Sequence, residues 1–352
     1  MRRTAALIVG GGPAGASAAI SLARGGAMPV VIERSPGERD LVCGGFLGWD
    51  AIAALKKLGL DPAALGAKPI HRLRLVAGRK VVETELPAAA AGLSRRRLDA
   101  TLLRMAEEAG AAVLRGRTAR ALEEGCVRLN DGSEMAADAL FLATGKHELR
   151  GAVRPIGTRP VSVGLRTAIA PPTDLAGTIE LHLYNGGYAG LLLQEDGAAN
   201  LCLSVAQSRM AGGREALLAE LMREAPLLAE RLGGVIPADW EAIAGVPYGW
   251  RARSAEPGRF RIGDQAAVIA SLAGDGIAVA LASGAAAAHA CLHDDDGAPA
   301  YQRAFAARAK RPIAIAETLR HMAEAPVRRK LMLGLAGWPG LAKLAARLTR
   351  VG

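Results

Sequence analysis

Aromatic side chains are scarce in this sequence, with four each of Phe, Trp and Tyr among 352 residues. Proteins that stack nucleobases interleave such rings with basic residues. The net charge of +10 is spread along the chain without that partnership, so nucleic acid is excluded as a partner. An anionic membrane surface, an acidic ligand, or an arginine-rich composition with no partner all remain open. Cysteines are equally few: Cys43, Cys126, Cys202 and Cys291 lie far apart and form no CxxC pair. That argues against a disulfide framework and against a zinc site, and it fits free thiols in a reducing compartment. Long uninterrupted apolar runs are missing too. The run that follows Arg2 and Arg3 is broken by five Gly or Pro residues between positions 10 and 15, unlike a signal peptide. The stretch 266–292 contains Asp275 and several glycines, which makes it a poor membrane span and a good buried turn plus helix. The expectation is a cytoplasmic protein, soluble or peripheral to the inner face of the membrane.

Small and apolar residues are abundant. Glycine occurs 43 times, and 51% of the chain is hydrophobic. This is the composition of a close-packed α/β protein, long enough for one large or two smaller domains.

Residues 4–9 (TAALIV) make a short apolar strand, followed by Gly10-Gly11-Gly12-Pro13-Ala14-Gly15 and a helical run over 16–24. A second strand over 29–32 ends in Glu33, 18 residues after Gly15. In this strand, GxGxxG, helix, strand, acid pattern, Gly10 permits the tight turn and Gly12 lets a pyrophosphate approach the backbone. Gly15 lets the helix sit close to the strand. Pro13 and Ala14 open the helix, whose free N–H groups attract phosphate. Glu33 can accept hydrogen bonds from the ribose hydroxyls, with Arg34 beside it, and its charge would repel a 2′-phosphate. The ligand of this turn is FAD or NAD.

Three further segments select FAD. They are Ser94-Arg95-Arg96-Arg97-Leu98-Asp99, the run 138–145 (DALFLATG), and Arg261-Ile262-Gly263-Asp264 followed by Gly274-Asp275-Gly276-Ile277. Together with GGGPAG they resemble the FAD-dependent superfamily of aromatic hydroxylases, geranylgeranyl reductases and flavin-dependent halogenases. The resemblance implies that Arg95 reaches the cofactor, that Gly145 closes the nucleotide domain beside it, and that Asp264 holds the ribityl hydroxyls. It places Gly274, Gly276 and Ile277 at the helix start that faces the N1–C2=O edge of the flavin. There are departures. The hydroxylases' DGxxSxxR motif is replaced by Thr144-Gly145-Lys146-His147-Glu148-Leu149-Arg150, and Ser271 stands where the family often has proline.

Cys43-Gly44-Gly45 resembles the CGG element of the geranylgeranyl reductases, in which the cysteine lies near the flavin face. Cys43 is therefore a candidate catalytic residue, or else a small buried hydrophobe. Gly186-Gly187-Tyr188-Ala189-Gly190 is similar to the reductase signature YxWxFP, with Gly190, Leu192 and Leu193 in place of its Trp, Phe and Pro. Tyr188 is the second catalytic candidate, and Tyr184 and His182 are candidate pocket residues. The halogenase signature WxWxIP is absent.

The implied fold is α/β: a discontinuous Rossmann-type FAD-binding domain (1–70, 91–155 and 255–295), an antiparallel β-sheet substrate domain (71–90 and 156–254) and C-terminal helices (296–352). A helix is expected over 214–231. The basic, leucine-rich end from Val327, broken at Gly337 and Pro339, is either an amphipathic helix pair on an anionic membrane or a core-packed terminus with a solvated basic face. The implied function is an FAD-dependent oxidoreductase. The first expectation is an NAD(P)H-dependent monooxygenase of a lipophilic or aromatic small molecule, with NAD(P)H as a transient reductant because no second GxGxxG is present. The second is a carbon–carbon double-bond reductase; a flavin electron-transfer partner and a halogenase-like enzyme are further alternatives. No metal is expected.

Overall fold

The computed structural model describes residues 2–294, 297–338 and 340–351. In chain order the strands are β1 (Arg2–Val9), β2 (Val30–Glu33), β3 (Phe46–Leu47), β4 (Lys68–Ala77), β5 (Lys80–Gly92), β6 (Ala112–Arg115), β7 (Ala119–Glu123), β8 (Cys126–Leu129), β9 (Glu134–Leu142), β10 (Ser162–Ile169), β11 (Gly177–Tyr184), β12 (Gly187–Leu193), β13 (Ala199–Ala206), β14 (Glu241–Val246) and β15 (Arg259–Arg261). The helices are α1 (Pro13–Arg24), α2 (Trp49–Lys57), α3 (Arg95–Glu108), α4 (Gly213–Glu224), α5 (Pro226–Arg231), α6 (Gly276–His293), α7 (Gly297–Glu324), α8 (Pro326–Ala336) and α9 (Leu341–Leu348). The anticipated break at Pro339 and the domain boundary at 295/296 lie outside the described residues.

The first sheet runs β6-β2-β1-β9-β8-β7, with β15 also pairing with β9. Its centre is parallel, Ile8 lying between Val31 and Phe141, and the apolar run of β1 is buried on both faces as such a strand requires. Helix α1 packs on α6 almost backbone to backbone. A Cβ on Gly284 would lie 2.3 Å from the Ala14 carbonyl, and Ser17 Oγ donates to the Leu281 carbonyl at 2.9 Å. The glycine and alanine content thus sets the separation of the two helices that flank the nucleotide turn. By length and composition α6 could cross a bilayer, but its buried residues, including Leu281, Gly284 and Ala287, belong to this contact.

The second sheet runs β14-β10-β13-β12-β11-β4-β5-β3. It is antiparallel except for β11 with β4, which pair in parallel. Its far face is covered by α4 and α5 through Leu217, Leu218, Leu221 and Leu228. The single helix expected over 214–231 is two helices. Ala225 leaves helical geometry (φ −121°, ψ 74°) before Pro226, because proline lacks an amide hydrogen and crowds the residue before it. The near face of this sheet looks towards β1, α1 and α6, and α7, α8 and α9 close the remaining side.

Candidate active site

Between the two sheets lies one continuous cavity of about 1190 Å³. It begins at the turn after β1. Gly10 has φ +113° and its missing side chain leaves room for the Ala143 carbonyl, which would be 2.3 Å from a Cβ. Gly15 is under the same constraint, 1.9 Å from the Gly10 carbonyl. Gly12 precedes α1 in extended conformation with no side chain capping the helix. The first amides of α1, with Pro13 at its start and Ala14 following, face open space suited to phosphate. Glu33, at the end of β2, is held by the amides of Gly11 (2.8 Å) and Ser35 (2.7 Å). Arg34 also lines this end, its pKa lowered by burial and by the charge of Arg39.

Helix α3 is capped by Ser94, whose hydroxyl accepts the Arg97 amide at 3.1 Å. The cap puts Arg95 over the glycine turn: its Nη2 would be 3.3 Å from a Cβ on Gly12. Asp99 grips the same guanidinium through two hydrogen bonds of 2.7 and 2.6 Å. Burial opposes the charge of Arg95, but Asp99 outweighs it and raises the pKa.

The other end of the cofactor's place is built from distant segments. Gly145 (φ +62°) follows β9. Lys146 pairs with Asp264 at 3.2 Å, and that carboxylate is the main reason the lysine's pKa is raised. Asp264 follows Gly263, where a Cβ would come within 2.9 Å of Ala14. Gly274 (φ +67°) has Phe46 where its side chain would be, whereas Gly276 faces open space. Asp275 precedes α6 but does not cap it. It turns instead to Arg350 (3.0 Å) and to the Val351 amide (2.8 Å), leaving the amides at the start of α6 free beside Gly276 and Ile277. Burial lifts the Asp275 carboxyl to about 6 despite Arg350. A cradle of free helix amides at both ends, a ribose acid and a ribityl acid is what FAD requires, and the residues fit it.

Beyond the cradle, the near face of the second sheet forms an apolar chamber. Strand alternation sends Ile179 and Leu181 into it, and Gly190, Cys202 and Ser204 form its floor. The same alternation removes two candidates. His182 faces away and bonds Glu180 at 2.6 Å in a buried cluster with Arg74 and Arg231. Tyr184 lies in the far-face core, its hydroxyl donating to the Tyr188 carbonyl at 2.9 Å. Tyr188 does line the cavity. Its hydroxyl meets Ser271 Oγ (2.5 Å) and accepts the Leu272 amide (2.9 Å), and Tyr248 joins the same serine at 2.8 Å. Burial keeps the Tyr188 phenol neutral, with its pKa well above 10.0. Cys43 lines the chamber, and its loop is anchored by Asn200 Nδ2, which donates to the carbonyls of Cys43 (3.0 Å) and Gly44 (2.8 Å). The second thiol there, Cys202, is pushed up to about 12 by burial.

Several residues of this arrangement were not anticipated. Asn200 is oriented by Arg166 (2.7 Å), which also donates to Asp40 (3.1 Å). Arg154, fully buried, donates to the carbonyls of Lys146 and Asp264 (3.0 Å each) and to Glu148 (2.6 Å). Ser271 had a signal in the sequence, as the departure from proline; the arginines had none, because nothing in spacing marks a long-range brace. Among the described residues no cluster of three or more His, Cys, Asp or Glu side chains is placed to hold a metal.

Comparison with known proteins agrees with this geometry. Residues 3–151 match the model of the FAD binding domain family. The fold is shared with a geranylgeranyl bacteriochlorophyll reductase-like protein from Thermoplasma acidophilum (TM-score 0.79, 19% identity, 99% of this chain and 95% of that one). It is shared too with PqsL, a probable FAD-dependent monooxygenase from Pseudomonas aeruginosa (TM-score 0.72, 20% identity, 95% and 100%). The match over residues 3–151 supports an FAD site in the N-terminal part of the chain, and the likeness to the solved structures shows a shared fold. Among curated proteins it is similar to a menaquinone reductase of Mycobacterium tuberculosis (27% identity over 307 residues, 80% of this chain and 75% of that protein). It is also similar to one of Mycolicibacterium smegmatis (28% over 309 residues, 81% and 76%).

Proposed function

We propose that this protein is an FAD-dependent reductase of a carbon–carbon double bond in a long, lipophilic, isoprenoid-type substrate. The observation that carries the reading is the cavity. It runs for about 1190 Å³ through the cofactor cradle and on past it, and its far part, lined by Leu73, Leu75, Ile179 and Leu181, is apolar. The glycine at 190, where the reductase signature has tryptophan, is part of what makes that room. Similarity to menaquinone reductases and the Cys43-Gly44-Gly45 loop favour the same class.

Bound FAD, reduced by a nicotinamide donor that visits transiently, would supply hydride. The chain's own residues hold FAD through Gly12, Glu33, Arg95 and Asp264, keep water from the alkene, and supply a proton to the second carbon. We assign that donation to Cys43 Sγ or the neutral Tyr188 hydroxyl, both of which line the chamber. The leucines of β4 and β11 orient the chain of the substrate.

Monooxygenation of a lipophilic or aromatic molecule is the second reading. It is favoured by the apolar lining of the same chamber, which would shield oxygen transfer from water equally well. The test is to give chemically reduced holoenzyme a polyprenyl quinone with and without labelled oxygen. A product that stays two hydrogens heavier after its ring is reoxidised from quinol to quinone, formed without oxygen, supports the reductase. A product that gains one labelled oxygen atom overturns it.

A further inference from the structure

We infer that α8 and α9 form a docking surface for an anionic lipid bilayer, with the mouth of the substrate chamber opening onto that surface. Two observations meet here. The first is where exposed hydrophobic side chains lie. Val327, Leu331 and Leu335 follow one another at four-residue intervals along α8 and stand 81%, 60% and 40% exposed; Trp338, Leu341 and Leu344 continue the patch at 67%, 38% and 51%. Single exposed leucines need no explanation, but a contiguous patch marks an interaction site.

The second observation is charge. Residues 326–351 carry six cations and no Asp or Glu. Arg350 is turned inward to Asp275 and Lys343 pairs with Glu85 of β5, which leaves Arg328, Lys330 and Arg347 exposed on the surface. Leucines, a tryptophan and cations on a helical pair are the combination that lies in the interface of an anionic membrane. The excess of cations over the single neighbouring Glu85 argues against a second copy as the occupant, since self-pairing of this face would set cations mostly against cations.

Leu335 and Leu341 connect the patch to the site: each is partly exposed and also lines the cavity. On α9 the outward Leu344 and Arg347 alternate with Ala342, Ala345 and Ala346, which turn to the cavity. A lipid could pass between these helices from bilayer to chamber without crossing water. The pair is fastened to the body by Arg350, which bonds Asp275 and stacks on Trp49 at 4.3 Å. The surface is argued independently of which reaction occurs inside, and its test requires no turnover.

Purified holoprotein is sedimented with vesicles of phosphatidylcholine alone or containing phosphatidylglycerol, over a salt series. The expected result is binding to the phosphatidylglycerol vesicles only, weakening as salt rises. The triple variants R328E/K330E/R347E and L331S/W338A/L344S should each bind at least about tenfold more weakly, while FAD absorbance and thermal unfolding stay at parental values. Equal binding to both vesicle types, or undiminished binding of the charge-reversed variant, overturns the proposal. So does a concentration-dependent dimer that these substitutions dissolve, which would assign the face to a second copy.

Discussion

The two ends of the cavity are built on opposite principles. The cofactor end is made of backbone: glycines that nothing larger can replace, free helix amides, and a few charges locked by partners. The substrate end is made of side chains that are small or missing, on a sheet whose strands would tolerate larger ones. A backbone-built site fails when one atom is added. A site built from empty space changes shape instead.

Substitutions can break this contrast, and the largest effect is expected at the first end. Gly15→Val puts a side chain where even a Cβ lies 1.9 Å from the Gly10 carbonyl. The purified variant should carry no FAD and lose at least about 3 kcal/mol of stability, read from its absorbance and denaturant midpoint.

Next comes a control on the far face of the second sheet. Glu180 is buried and holds His182, Arg231 and Arg74. Burial opposes its ionisation, but hydrogen bonds from His182 and Arg231 outweigh that and hold its carboxyl far below the usual 4.5. A depressed carboxylate stabilises the fold above its ordinary pKa, and that contribution is lost as pH falls through the depressed value. Glu180→Gln should therefore cost about 3 kcal/mol at neutral pH, with the deficit shrinking below pH 4.5, while FAD content is unaffected. A variant that loses FAD would show the two faces of that sheet to be coupled.

Glu33→Ala should weaken FAD binding about tenfold or more through the lost charged acceptor; a fully yellow variant after gel filtration would contradict the ribose role. Gly190→Leu should lower kcat/KM for a long substrate several-fold and leave FAD affinity unchanged, because a Cβ there meets Leu181 only at 3.4 Å. The smallest effect is expected from Asp275→Asn. The Asp275 carboxyl is raised to about 6 from 3.8, so it favours the fold most below 3.8 and loses that contribution as pH passes 6. The variant's Tm relative to the parent should rise by a few degrees between pH 4 and pH 7.

The same contrast explains what could be read from the chain. The glycine turn, Glu33, Arg95 and the Gly263–Ile277 stretch were legible because backbone geometry demands particular residues at fixed spacing. Turns such as Asn185-Gly186 made four strands of the second sheet legible, expected over 161–170, 178–184, 188–194 and 200–206 and found within a residue of those bounds. Strand β4 begins four residues before and β5 ends six residues after the patterns at 72–76 and 81–86, and β3 and β14 went unread. The direction in which side chains leave β11 was not, and so His182 and Tyr184 were misplaced on the cavity side. Arg154 reaches Asp264, 110 positions away, and Arg166 reaches Asn200 and Asp40, 34 and 126 positions away, and no local pattern encodes such pairs. The break at Ala225 was visible in Pro226 and was overridden by the apolar periodicity around it.

Arg154 has one more consequence. By clasping the main chain at Lys146 and Asp264 together, it makes a single knot of two loops that leave the ribosome far apart in time. A nascent polypeptide that has reached residue 151 already holds the phosphate turn but lacks the loop that grips the rest of the flavin. The flavin site is therefore complete only in a chain that includes the start of α6, and a product truncated before Asp264 should emerge colourless.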